Sequence, residues 1–249
     1  MKWYHKLTRV EMKLRHVAYL SYLLPAPQVR PLVPDILPLS AVDENKVFVS
    51  IVVLQSRDVR LAIFPLMRFN YNQINVRTYV KDPYTGNQAV YFLKSGVTSA
   101  PISILTRIAG PSWQKVILNI EVKQTDPGRY ERYMAFGQWS GDFHLVAEET
   151  DLDLGEIAPF GSVESAADYL IRPLIGFYGT QGRIGRFEIY HPPIEPRAMQ
   201  LLDFQWPVLD AMGLVPEEKV KEPHNVLLVP ESRFSIFLSA RRVIEHNRT

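Results

Sequence analysis

The stretch at residues 69–95 constrains the fold most strongly, because it has the pattern of a β-hairpin. Its first half alternates between two sets of side chains, and successive strand residues point to opposite faces of a sheet. One set comprises Ile74, Val76, Thr78 and Val80, and the other, named the polar row, comprises Gln73, Asn75, Arg77 and Tyr79. A run of turn-forming residues at 82–87 then joins this strand to a second one.

The second half of the hairpin, at residues 89–94, is apolar on both faces. Such a run is typical of a strand that is buried on both sides. The polar row on the neighbouring strand therefore has two interpretations. It forms either a face washed by solvent or the inner lining of a barrel or cone in which a ligand would sit. The alternation alone does not distinguish them.

The other segments favour one mostly-β, α+β domain over residues 1–249, built on an antiparallel sheet. Strands are predicted at 15–23, 46–54, 113–123, 130–139, 142–149, 186–190, 199–205, 225–229 and 233–238. Helices are predicted at 99–110, at 206–214 and at 162–177, where Pro173 should kink or end the helix. The glycines at 176–185 predict a flexible turn. No repeat or long polar linker argues for a second domain.

The amino terminus has apolar residues at helical spacing among basic ones, so a helix is predicted at 3–14. A helix packed on the domain is favoured over one that lies on a membrane surface. No apolar run approaches the roughly 18 residues that span a bilayer, and the first residues lack the apolar core of a secretory signal. We therefore expect a cytoplasmic protein without a membrane partner.

Composition excludes several classes of function. The net charge is only +2, from 28 Lys+Arg against 26 Asp+Glu, so nucleic acid is not expected as a partner. Cysteine is absent, which excludes disulfides, thiolate catalysis and cysteine-ligated metals. The six histidines are scattered, and no Walker loop or dinucleotide fingerprint occurs. No metal and no cofactor are expected, and a homo-oligomer is left open.

The remaining candidates for chemistry are cationic: Arg77 on the hairpin, Arg107 on the predicted helix at 99–110, and Lys115 at the start of the next strand. Arginine suits a planar carboxylate, and a buried lysine can lose its proton and attack a carbonyl. The alternative for Lys115 is an ordinary solvated lysine at the end of a strand.

Six segments follow one another in the chain: VPDIL at 33–37, VFVSIVV at 47–53, NVRTYV at 75–80, AVYF at 89–92, YLIR at 169–172 and YHP at 190–192. Taken in this order, they resemble the YqjF-like family of bacterial proteins, which is similar in fold to acetoacetate decarboxylase. The likeness runs from about residue 15 to residue 238. It implies a closed, cone-like antiparallel β-barrel with flanking helices and an internal ligand cavity.

The resemblance also implies roles for individual residues. The decarboxylase uses a lysine Schiff base from a Lys-Lys pair, and by order that pair falls on Gln114 and Lys115, so one cation is missing here. Gln73 stands where relatives often carry an acidic residue, and a glutamine cannot take a proton as a carboxylate does. Arg15 is the counterpart of an active-site arginine on the first strand.

Two functions follow. The first is binding of a small carbonyl or carboxylate compound, with carbon–carbon lyase chemistry through a Lys115 Schiff base and with Gln73 as its partner. The substrate-binding residues would then be Arg15, Arg77, Tyr79, Tyr91 and Arg107. The second is a non-catalytic ligand-binding or sensor protein on the same barrel, which the incomplete lysine pair and Gln73 favour.

Overall fold

The computed structural model describes residues 9–43, 45–109, 111–125, 128–151 and 159–243 of the chain. Most of these residues lie in strands, which confirms the prediction of a mostly-β, α+β fold. The strands are β1 (Arg9–Pro25), β2 (Lys46–Leu61), β3 (Phe69–Lys81), β4 (Gln88–Val97), β5 (Gln114–Lys115), β6 (Ile117–Thr125), β7 (Arg129–Gln138), β8 (Asp142–Glu149), β9 (Ile175–Thr180), β10 (Arg183–Tyr190), β11 (Arg197–Gln205) and β12 (Asn225–Val243). The helices are α1 (Ala26–Val29), α2 (Ala100–Ala109), α3 (Val163–Leu170) and α4 (Val208–Ala211), with 3-10 turns at Arg30–Leu32 and Glu217–Lys219.

Seven of the strands form a ring. Their order is β1–β2–β3–β4–β9–β10–β12, and β12 pairs back onto β1. Neighbours in the ring are antiparallel except for the short parallel pairing of β4 with β9. The sheet therefore closes on itself, as the predicted cone does, although it does not form a regular barrel.

The other section of the sheet, β11–β8–β7–β6, continues from β12 and covers the outer face of the ring. Its Tyr133 and Leu145 share one apolar cluster with Ile51 and Val76 of the ring. A ring of seven strands has no room inside for a four-stranded sheet, so this section must lie outside. The main core of the protein thus sits between the ring and this section.

The inner face of the ring is filled at one end by α3. Its Ala166 and Leu170 belong to a second apolar cluster that includes Phe48 of β2 and Tyr79 of β3. By contrast, Val76, whose side chain points to the opposite face of β3, belongs to the apolar cluster shared with the covering section. The faces of β3 are therefore assigned: the polar row points inward, and the apolar set points toward the covering section.

Helix signals in the sequence act as predicted. The Ser162 Oγ accepts the backbone N–H of Ser165 at 3.1 Å, which caps the start of α3. The helix ends at Leu170, three residues before Pro173, so the predicted helix at 162–177 is shorter than the pattern suggested. Among the described residues, no helix has both the length and the apolar character to cross a membrane.

The predicted helix at 3–14 is wrong for residues 9–14, which lie in β1. Residues 3–8 lie outside the described residues. Val10 and Leu14 pair with β12 on one side and with β2 on the other. Backbone hydrogen bonds to two strands outweigh the helical spacing of a few apolar side chains, since local periodicity is a weaker constraint than sheet pairing.

The predicted break between strands at 225–229 and 233–238 is also wrong, because β12 is continuous. Pro230 lies inside it and has no N–H to give to the ladder. On β1 it faces His16, which has a φ of 50°, and the pairing of the two strands skips both residues. The local irregularity at His16 therefore accommodates the proline without ending the strand.

The predicted flexible turn at 176–185 is wrong as well, since these residues form most of the β9–β10 hairpin. Its glycines make room for aromatic rings on the opposite strand. A Cβ at Gly176 would stand 2.2 Å from Cζ of Phe187, and one at Gly185 would stand 2.1 Å from Cζ of Tyr178. These two glycines are thus required by close packing of aromatic rings against the backbone, which could not be predicted from the glycine spacing in the sequence.

Candidate functional site

The polar row of β3 is buried on the inner face of the ring. Gln73, Asn75, Arg77 and Tyr79 are 7%, 4%, 9% and 0% exposed. The interpretation as a face washed by solvent is therefore wrong. Polar side chains that are buried this deeply need partners, and their contacts define the candidate site.

Arg77 is the most constrained member of the row. Its Nη2 donates to the backbone carbonyl of Leu170 at 2.5 Å. Its guanidinium carbon lies 5.1 Å from the ring centroid of Tyr19 and 5.7 Å from that of Tyr79, within the range of cation–π attraction. No carboxylate of the described residues pairs with it, and its Nε is buried without a hydrogen-bond partner. The site therefore contains a buried positive charge with an unused donor.

The carboxyl end of α3 adds its negative potential to that of the two tyrosine rings beside Arg77. The Leu170 carbonyl is in the last turn, where carbonyls lack helical partners and carry the negative end of the helix dipole. It accepts from the Tyr79 hydroxyl at 3.0 Å as well as from Arg77. Burial acts to lower the pKa of the Arg77 guanidinium, but Tyr79 and Tyr19 outweigh burial and raise it. Burial raises the pKa of Tyr19, so both phenol and guanidinium keep their protons near neutral pH.

Next to this cluster lie two neutral amides. The Gln73 Nε2 donates to Oδ1 of Asn75 at 3.0 Å. Ser95 of β4 pairs with Asn75, and its Oγ is buried without a partner. This part of the inner face can therefore hydrogen-bond a ligand, but its amides cannot act as general acid or base.

Beside β4 the ring has an incomplete edge. On this edge β9 pairs only with Val90–Tyr91 of β4, and β5 pairs only with Gly96–Val97. In the part of the chain that the structure describes, residues 92–95 have no strand neighbour on that edge. The backbone pairing of the ring thus has an opening between β5 and β9, beside the strand that pairs with the polar row.

Lys115 stands at the rim of this opening. It pairs with Val97, which in turn pairs with Gln73, so all three share the inner face. With strands about 4.8 Å apart, the Cα atoms of Lys115 and Gln73 are separated by about 10 Å. Lys115 is nevertheless exposed to solvent. It faces the site without being enclosed by it.

Three of the predicted site residues lie elsewhere. Arg15 is exposed, and its Nε donates to Oε2 of Glu231 at 2.5 Å. Arg107 is exposed on α2. Tyr91 is buried but points to the outer core, where its hydroxyl donates to the Gly179 carbonyl at 2.6 Å. The structure thus brings together Gln73, Arg77 and Tyr79, sets Lys115 at the rim, and separates Arg15, Tyr91 and Arg107 from them.

Inspection of the sequence missed the residues that surround Arg77 on other strands. Tyr19 contacts its guanidinium, and Ser50 pairs with it across β2 and β3. A signal was available for the serines: Ser21 stands in AYLSYLL and Ser50 in VFVSIVV, each a lone hydroxyl in an apolar strand. A polar residue in a buried strand needs a partner there, so it indicates a polar interior.

An open groove of about 380 Å³ lies away from this cluster, on the covering section. Arg129, Glu149 and Asp151 are among the residues that line it. Arg129 already donates to Asp151 at 2.6 Å, so its charge is compensated locally. Of the residues that the structure describes, no three His, Asp or Glu side chains are grouped to hold a metal ion.

Several solved structures are similar to this fold. The enduracididine biosynthesis enzyme MppR, complexed with the condensation product of pyruvate and imidazole 4-carboxaldehyde, is 11% identical with a TM-score of 0.62, over 96% of this chain and 90% of that one. An acetoacetate decarboxylase-like enzyme from Sphingomonas wittichii RW1 is 12% identical with a TM-score of 0.59, over 95% and 93% of the two chains. Acetoacetate decarboxylase from Legionella pneumophila is 10% identical with a TM-score of 0.54, over 90% and 84%. At these identities the likeness shows the fold alone.

We found no curated protein that matches the sequence. The model of the family DUF2071, described as "Uncharacterized conserved protein", matches residues 11–233. This match and the structural neighbours confirm the resemblance seen in the sequence. The chain belongs to the DUF2071 family and has an acetoacetate decarboxylase-like fold.

Proposed function

We propose that this protein binds a small carboxylate or carbonyl compound inside the ring, with Arg77 as the anchor of the carboxylate. One observation carries the proposal: the buried guanidinium has no carboxylate partner among the described residues, and its Nε donor is unused. A buried charge without a counter-ion is costly, and such groups are normally paired. A ligand carboxylate would supply both the missing charge and the missing acceptor.

The structural neighbours support the choice of ligand. Structures of MppR include one complexed with pyruvate, so a small keto acid is known to bind a protein of this fold. The aromatic rings of Tyr19 and Tyr79 flank Arg77 and would enclose the short carbon chain of such an acid. Gln73 and Asn75 would then hydrogen-bond its carbonyl oxygen.

A second candidate function is carbon–carbon bond cleavage, because Lys115 shares the inner face with Gln73. The Lys115 amine would add to a ketone and release water, and the resulting iminium would accept the electron pair of the breaking bond as carbon dioxide leaves. Schiff-base lysines are activated by dry surroundings or by a neighbouring cation. Lys115 is exposed and is preceded by Gln114, so we place binding ahead of catalysis.

Calorimetric titration with pyruvate and acetoacetate tests the binding function. We expect Arg77→Met to weaken binding about 10- to 100-fold, as the loss of charge-assisted hydrogen bonds worth about 1.5–3 kcal/mol implies. Arg132→Met on β7 is the matched control, since it removes an exposed arginine and should leave the affinity unchanged. Equal affinity of wild type and Arg77→Met would overturn the proposal.

Borohydride reduction in the presence of acetoacetate, followed by intact mass, tests the lyase candidate. A covalent adduct on wild type that is lost in Lys115→Ala and kept in Lys123→Ala would support a Lys115 Schiff base. No adduct on wild type would remove it. If the protein is only a binder, Lys115→Ala should keep nearly the full affinity for both acids.

A further inference from the structure

Asn225, at the start of β12, is another buried residue whose polar side chain has no hydrogen-bond partner among the described residues. Its side chain is 6% exposed, and neither Oδ1 nor Nδ2 has a hydrogen-bond partner among the described residues. Leaving both ends of a buried amide unsatisfied is costly, and native proteins rarely do so. Asn225 therefore indicates a place where another polar group binds.

Strand pairing places Asn225 in line with Arg77. Asn225 pairs with Ser21 of β1, Ser21 pairs with Ser50 of β2, and Ser50 pairs with Arg77 of β3. Residues that are paired across antiparallel strands point to the same face. These four residues therefore lie side by side across four strands on the inner face of the ring, and we name them the polar belt.

The hydroxyls of this belt have a fixed direction. The Tyr79 hydroxyl can only donate to the Leu170 carbonyl, so it accepts from the Ser50 Oγ at 2.8 Å. The Ser50 proton is then used, so Ser50 accepts from the Ser21 Oγ, also at 2.8 Å. Each hydroxyl has only one proton. The serines thus have no donor left for a ligand, and only Asn225 and Arg77 offer unused donors on the belt.

We propose that Asn225 is a second subsite that selects a carboxylic acid bearing a primary carboxamide, with the carboxylate on Arg77. The inference rests on the proposed function, because it assigns the other end of the same ligand. A carboxamide offers one acceptor and two donors, so it can satisfy the Asn225 Nδ2 and Oδ1 together through two parallel hydrogen bonds. A carboxylate supplies acceptors only and an ammonium donors only, so either would leave half of the Asn225 amide unsatisfied.

The geometry limits the ligand to a short chain. Three strand spacings of about 4.8 Å separate the backbones of Asn225 and Arg77, about 14 Å along the sheet. The curvature of the ring and the length of the arginine side chain both shorten the distance between the two polar ends. A four-carbon acid amide is therefore the appropriate first probe.

Calorimetric titration of the full chain with succinamate and butyrate tests the subsite, because these probes share chain length and carboxylate. We expect wild type to bind succinamate about tenfold more tightly than butyrate. Asn225→Val should reduce this preference to less than twofold while leaving butyrate affinity unchanged. Ser232→Ala is the matched control, since its buried, unpartnered Oγ lies on the same strand outside the belt.

The outcomes separate the two proposals. Binding of butyrate that Arg77→Met weakens, without any preference for succinamate, would overturn the subsite and leave the proposed function standing. A preference that persists in Asn225→Val would also overturn the subsite. If neither acid binds wild type, the subsite is overturned, and the titrations with pyruvate and acetoacetate decide the proposed function separately. Should Asn225→Val not fold, Asn225→Ser gives the same comparison, since one hydroxyl cannot form the paired hydrogen bonds of an amide.

Discussion

The two faces of β3 are equally buried but chemically opposite. Ile74, Val76 and Val80 pack outward against the covering section, where the main apolar core lies. On the inner face, Asn75 and Arg77 are just as inaccessible, yet Arg77 retains an unused donor. Burial alone therefore does not define a core. In this fold the outer face of the ring carries the main apolar core, and the inner face keeps Arg77, a charged group that we expect to contribute little to stability.

The largest expected effect contrasts the faces directly. Ile74→Ala should lower the free energy of unfolding by about 2–5 kcal/mol, because it opens a cavity in the outer core. Arg77→Met should change it by less than about 1 kcal/mol, since replacing a buried charge with an apolar chain of similar size is often neutral or stabilising. Urea denaturation of both variants measures the difference, and comparable losses would contradict the division of roles.

The next-largest loss of stability is expected where β9 and β10 pack closely on the inner face of the ring. Gly176→Ala should cost about 1–3 kcal/mol, because the added Cβ overlaps the ring of Phe187. The double variant with Phe187→Leu should recover part of this loss. Thermal unfolding of the single and double variants checks the coupling, and purely additive losses would show that another contact is responsible.

A pair of buried tyrosines provides a smaller comparison. The Tyr79 hydroxyl on the inner face joins Ser50 to the Leu170 carbonyl, whereas the Tyr133 hydroxyl in the outer core makes one long bond of 3.3 Å to the Val53 carbonyl. Tyr79→Phe should cost about 1–2 kcal/mol and Tyr133→Phe about 0.5–1 kcal/mol. A larger loss for Tyr133→Phe in denaturant titrations would contradict the assigned hydrogen-bond chain.

The smallest effect concerns pH. Burial lowers the pKa of His16 from 6.5, with further lowering by Arg15 and Arg57 and opposition from Glu231, while Tyr130 contacts the ring at 2.8 Å. Below about pH 6.5 the unfolded chain binds a proton that the folded chain does not, so stability falls as pH falls through this value.

His16→Asn should reduce that loss, because asparagine does not titrate and tolerates the positive φ at this position. Stability curves of both proteins between pH 7.5 and 5 test the expectation, and parallel curves would show that His16 is not the group responsible.

Much of this arrangement could be predicted from local pattern. Alternation of period two correctly divided β3 into its two faces, and Ser162 and Pro173 bounded α3. Alternation gives no sign of curvature, however, so it could not tell which face lies inside the ring. That choice depends on β12 pairing back onto β1, a contact between the two ends of the chain.

The parts of the candidate site that pattern missed have physical reasons. The acceptor for Arg77 is the backbone carbonyl of Leu170. Every residue has such a carbonyl, so the residue type at position 170 could not indicate this role. Asn225 lies in the polar belt because it pairs with Ser21, which is about 200 residues earlier in the sequence. Lys115 was singled out as a cation at the start of a predicted strand, and the Schiff-base role that the family order implies for it stays a prediction.

The central claim is that a carboxylate binds Arg77 inside the ring, and the Nε–Hε resonance of this arginine reports on it most directly. The resonance can be assigned in ¹H–¹⁵N spectra by its absence from Arg77→Met. On titration with pyruvate, we expect it to move downfield and to exchange more slowly with water, as the unused donor gains an acceptor. If pyruvate saturates the protein and this resonance stays unchanged, the ligand binds elsewhere and the account is wrong.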